Sequence, residues 1–291
     1  MIMSLLLPLL AHTATPALTP PDVSGLPPTA SDSQPAKRRR PAPSASKPTE
    51  TVAAPAPDAT SDRLQTCLHQ AQSDPDNAIK TAGDWLSESK GGAKAFAYQC
   101  LGAALAQLGS WQEAEYAFQQ GREVLPVTET VQRARLAAMA GNAALAEERY
   151  DAALASLDLA STGAVNSGDN ALIAGIAIDR ARALANLGRL AETGEALATA
   201  RQAGPNNADA WLLSATLARR EGKLAEAQGY IEKAAALRPV DLEIGLEAGV
   251  IAMLSGREDA ARKSWKSVVD ADPASPEAQI AQSYIAQLDK P

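Results

Sequence analysis

Within residues 61–291 of the 291-residue chain, Cys67, His69 and Cys100 are the residues whose types could build a nucleophilic, redox or metal site. A cysteine beside a histidine supplies a thiolate with imidazole as its base. Cys67 and His69 stand two apart, however, and on a helix that spacing turns them to different sides. Two cysteines and one histidine also fall short of the four ligands that a closed zinc site takes. No glycine-rich phosphate cradle occurs, and the acidic residues are spread as a solvated helical surface requires. The pattern therefore points to no catalytic residue, no metal and no cofactor, and the expectation is a protein that is not an enzyme.

The same two cysteines have a second chemistry. An even cysteine count in an exported protein suggests a disulfide. Cys67 and Cys100 both fall on expected first helices of neighbouring helical units. A bond between them would staple those units, whereas in a reducing compartment they would remain two small buried thiols.

The elements that would carry these residues follow from a fixed period. Gly188, Gly222 and Gly256 are 34 apart, and so are Pro205, Pro239 and Pro273. Thr193, Ala227 and Ala261 keep the step, as do Ala200, Ala234 and Val268. Such a period marks stacked supersecondary units. Each unit reads as two helices: one apolar-periodic stretch (Trp211 to Arg220) ends near a glycine, and a second (Leu224 to Leu237) is closed by a proline. Small residues recur where two antiparallel helices must approach closely.

At these positions the chain resembles the tetratricopeptide repeat family. The clearest copy is 95–128, through Tyr98, Leu101, Gly102, Leu105, Gly109, Trp111, Ala114, Phe118, Gly121 and Pro126. Trp211, Gly222, Ala227, Ile231, Ala234 and Pro239 carry the copy at 208–241. The copy at 134–167 keeps Gly141, Tyr150, Ala153, Leu157 and Ala160, but has Glu148 at the turn and Val165 in place of the proline. The resemblance implies an all-α, right-handed superhelical solenoid of helix-turn-helix repeats. The expected units are an irregular one at 61–90, repeats at about 95–128, 134–167, 174–207, 208–241 and 242–275, and a capping helix at 276–289. Five- and six-residue insertions before 134 and 174 are expected to lengthen the first helices there.

Composition separates this solenoid, 61–291, from what precedes it. Twelve of the nineteen prolines and none of the eleven aromatic residues lie in 1–60. That segment holds five Lys/Arg against four Asp/Glu, and the remainder 22 against 30, or −8. An acidic solenoid is a poor match for nucleic acid, which needs a basic stripe. No stretch approaches the roughly 20 apolar residues that cross a bilayer. Residues 1–17 carry a short apolar block, Leu5 to Leu10, then small residues, the pattern of a signal peptide although no Lys or Arg precedes it. Residues 18–60 are rich in proline and alanine, as a disordered linker is; the basic run Lys37 to Arg40 is a solubilising cluster within it. Export to the periplasm of a Gram-negative bacterium, or secretion, is the expectation, with a cytoplasmic protein as the alternative.

The resemblance also implies where a protein or peptide partner would lie, in a concave groove lined by first helices. Mapped onto this chain, the groove positions are Arg135, Asn142, Arg182, Asn186, Arg219 and Arg220, with Ile178, Leu212, Leu246 and Val250 as apolar anchors. Such a set suits an extended segment bearing hydrophobic side chains and carboxylates. The expected function is a non-enzymatic interaction scaffold. The alternative rests on residues 264–277, which look similar to tetratricopeptide modules of cytochrome c maturation that present a client to an enzyme partner. Partner identity and oligomeric state are open.

Overall fold

The computed structural model describes residues 59–289. The signal and linker expectations fall outside these residues. The chain divides into two units, 1–62 and 63–291, and of the first only the opening turn of one helix is described.

Thirteen α-helices follow one another among the described residues: α1 (Ala59–Ser73), α2 (Pro75–Glu88), α3 (Lys94–Gln107), α4 (Trp111–Val124), α5 (Thr130–Ala146), α6 (Tyr150–Ala164), α7 (Asn170–Asn186), α8 (Leu190–Ala203), α9 (Ala208–Arg220), α10 (Leu224–Leu237), α11 (Leu242–Leu254), α12 (Glu258–Ala271) and α13 (Pro276–Leu288). Strands are absent from the described residues. α5 and α7 have 17 residues against 13 for α9 and α11, so the insertions do extend first helices. The starts obey local chemistry. Asp74 caps α2 by accepting from the Asn77 N–H, with Pro75 in the first turn, and Asp169, Asn207, Asp241 and Ser275 cap α7, α9, α11 and α13.

Gly109, Gly188, Gly222 and Gly256 turn each pair with φ of 73–75°. Glu148 stands at the equivalent turn and takes φ 57°, a conformation that costs a residue with a Cβ. Inside each pair a small residue lets the second helix close down. A methyl added at Gly249 would overlap the Trp265 indole, which is 2 % exposed. Trp265 donates through Nε1 to the Leu246 carbonyl at 3.2 Å and packs on Tyr284 of α13, ring centres 5.0 Å apart. α13 thus packs over α11 and α12.

Every odd-numbered helix from α3 to α11 packs on its even partner, and each even helix from α2 to α12 packs on the next odd one. Odd helices of neighbouring units also touch one another from α5 to α13, and even helices show no comparable contact among the described residues. The stack therefore curves with the odd helices inside.

Candidate functional site: the odd-helix face

The odd-helix face is built from the repeat positions that the sequence marks as a groove, and its polar members are largely engaged with one another. Arg135 of α5 donates through Nη2 to Asp169 at 3.0 Å, the carboxylate that caps α7. The Leu172 N–H at 3.0 Å and the Arg135 guanidinium together hold the Asp169 carboxyl below its ordinary pKa. Gln132 donates to Gln99 across the preceding step at 2.9 Å. Arg182 donates through Nη1 to Asp179 at 2.8 Å, and the Asn142 amide reaches the same carboxylate from α5. Burial pushes the Asp179 carboxyl up, against the pull of Arg182 and Asn142, while the negative charge of Asp209 adds to the rise. Asn186 donates to the Arg182 carbonyl at 2.9 Å.

The next step is the most enclosed. Arg219 of α9 grips Glu247 of α11 through Nε at 2.6 Å and Nη2 at 3.2 Å, with side chains 7 % and 9 % exposed. Arg220, beside it, is exposed and makes no ion pair among the described residues.

The ten expected groove residues thus divide. Arg135, Asn142, Asn186 and Arg220 are exposed on this face, and Arg182 is half-buried there. Arg219 is not available to a partner, because its guanidinium is spent on Glu247. The four apolar anchors are a correction. Ile178, Leu212, Leu246 and Val250 are 4, 8, 3 and 1 % exposed and belong to the core. Ile178, Leu212 and Leu246 are one position repeated at 34 residues, and Ile178 is closed by a cluster with Ala200 of α8 and Ala210 of α9. The carboxylates Asp169, Asp179 and Glu247 are absent from the sequence-derived set. The signal that marks two of them is opposite charge at about one repeat: Arg135 and Asp169 are 34 apart and Arg219 and Glu247 28. Arg149–Glu115 and Arg238–Asp209 repeat that spacing elsewhere.

Cys67 of α1 and Cys100 of α3 are joined by a disulfide with Cα atoms 5.9 Å apart, in a cluster with Leu64, Ala82, Trp85 and Ala97. Both sulfurs are buried, so neither offers a thiolate to His69, which is exposed on α1. Among the described residues no group of three or more His, Cys, Asp or Glu is placed to hold a metal ion, and no helix is long and apolar enough to cross a membrane.

No protein-family model and no curated protein matches the sequence. Solved structures do match the fold. The type IV pilus biogenesis factor PilW superposes with a TM-score of 0.65 at 18% identity, over 78% of this chain and 100% of that one. PilF of Pseudomonas aeruginosa gives 0.63 at 17% identity, over 77% and 97%. YrrB, described as a TPR protein with an unusual peptide-binding site, gives 0.51 at 18% identity, over 69% and 97%. With helix pairs stacked at a 34-residue step and left-handed turns joining the two helices of a pair, the chain has the tetratricopeptide repeat fold.

Proposed function

We propose that the protein is a non-catalytic interaction scaffold that holds an extended segment of a partner protein along the odd-helix face, within an assembly system of the bacterial envelope. The carrying observation is the solvent-facing polar row at the middle of that face: exposed Arg220, which makes no ion pair among the described residues, with exposed Asn186 and half-buried Arg182. With the apolar positions closed, binding there is polar. Amides pair with the partner's backbone, and Arg182 and Arg220 with its carboxylates. Superposition over the full length of the type IV pilus biogenesis factor PilW supports the envelope setting, and pilus assembly is the pathway we favour. A Cys67–Cys100 disulfide is consistent with an oxidising compartment outside the cytosol.

The test is comparative crosslinking in the native host, with wild-type protein and the Arg182→Glu/Arg220→Glu variant. Both side chains reach solvent, so the variant retains its helical circular dichroism. A protein captured by the wild type and lost in the variant is expected. The same proteins captured by both would sink the assignment of this face.

A further inference from the structure

Arg201, in the last turn of α8, lies over two rings of the following pair. Its guanidinium is 5.7 Å from the Trp211 ring centre and 4.7 Å from that of Tyr230, and it donates to the Ser214 hydroxyl. Those three residues form a cation site that the chain fills itself.

The equivalent positions 113 residues earlier keep one aromatic ring and lack the cation. Tyr98 stands at the Trp211 position, Leu101 at that of Ser214, Ala117 at that of Tyr230, and Glu113 at that of Glu226. Here α2, the helix corresponding to α8, has no basic residue in its last turn. What remains is an open, largely apolar depression of about 340 Å³, walled by Tyr98, Leu101 and Leu105 of α3 and by Glu113 and Tyr116 of α4. No basic residue lines it, Glu113 makes no ion pair, and no guanidinium covers Tyr98 or Tyr116 among the described residues. Tyr116 is 62% exposed. Elsewhere Trp85 too is covered, by Arg63 at 4.6 Å. The depression is separate from the polar row: at 100° per residue, Gln99 lies over 100° around α3 from the Tyr98, Leu101 and Leu105 stripe.

We infer that the α3–α4 depression is a second docking site, which takes an arginine or lysine side chain, flanked by apolar residues, from a partner protein. The apolar floor receives the methylene stem, the tyrosine faces receive the cation, and Glu113 neutralises it. The inference does not rest on the odd-helix face.

The probe is the synthetic peptide Ac-Ala-Leu-Arg-Leu-Ala-NH2, titrated into the full chain and followed by amide NMR shifts. Its counterpart carries citrulline, which keeps the shape of arginine without the charge. Shifts confined to residues 98–117 are expected, with binding weakened about fivefold or more for the citrulline peptide. The solvent-facing variants Glu113→Gln and Tyr116→Ala should each weaken the arginine peptide about as much, and Arg182→Glu/Arg220→Glu should leave it unchanged. Equal binding of the two peptides, or shifts that survive both α4 variants, would overturn the site.

Discussion

Replacing Arg219 by Met leaves the Glu247 carboxylate buried without its partner. Both side chains are less than one-tenth exposed and are joined by two hydrogen bonds. Removing one member of such a pair costs about 3–5 kcal/mol, because the remaining charge keeps its desolvation cost and loses its compensation. For a domain of this size that is a fall of about 6–20 °C in melting temperature. Replacing both members, Arg219→Met with Glu247→Leu, removes the two desolvation costs along with the attraction. The double variant is expected within about 1 kcal/mol of wild type. Urea unfolding followed by circular dichroism and tryptophan fluorescence measures both, and Trp211 and Trp265 report from the α9–α12 region itself. Tyr284 gives an independent check. Burial chiefly raises its phenol pKa; Arg219 lowers it and Glu247 raises it. Arg219→Met should therefore move the Tyr284 titration further up and the double variant should bring it part of the way back. A single variant within about 1 kcal/mol of wild type would show that the pair is solvated, and the enclosed geometry at α9–α11 would carry no energetic weight.

Three further outcomes follow from other parts of the chain. Reduction of the disulfide, or Cys67→Ala/Cys100→Ala, should cost about 3–4 kcal/mol for a 33-residue separation, read as loss of hydrogen-exchange protection in α1 and α2; unchanged protection would refute the staple. Glu148→Gly should stabilise by about 1 kcal/mol because it relieves a left-handed conformation, and Gly188→Ala at the equivalent turn should destabilise by a similar amount; thermal melts showing the same sign for both would refute the turn argument. The Asp179 carboxyl has a folded pKa above its unfolded value, so its ionisation opposes folding: stability is lost as pH rises from the usual carboxylate range through the raised value. Asp179→Asn should flatten that decline and be at least as stable at neutral pH, and an unaltered pH slope would refute it.

The architecture was legible because its determinants are local and repeated. A glycine at the turn, a small residue beneath a bulky one and a capping side chain each act within one unit, and repetition at 34 residues multiplies the signal. Even the departures had local causes: the two insertions lengthen α5 and α7, and Glu148 takes the glycine's conformation because the turn on either side of it is fixed. The exposure of the expected groove positions was legible only in part. Arg135, Asn142, Asn186 and Arg220 reach the surface as their positions imply. Ile178, Leu212 and Leu246 do not, since their exposure is decided by packing between helices, which is a property of the stack and is not encoded in any single unit.

That difference decides what the odd-helix face can do. A face with open apolar anchors would bind by burying hydrophobic side chains and would tolerate many partners of roughly the right shape. Here the apolar positions hold the units together, and Arg135, Arg182 and Arg219 are paired with carboxylates of their own chain. A ligand of this face would therefore use Arg220 or displace an internal contact. The internal pairs are graded: Arg135 is 48% exposed and Arg182 42%, whereas Arg219 is 7% exposed. Exchange of partners costs little where water already screens the pair, and much where it does not. Under the proposed function, recognition falls on the α5–α9 stretch of the face, where the pairs are solvent-screened, and the α9–α11 pair stays closed.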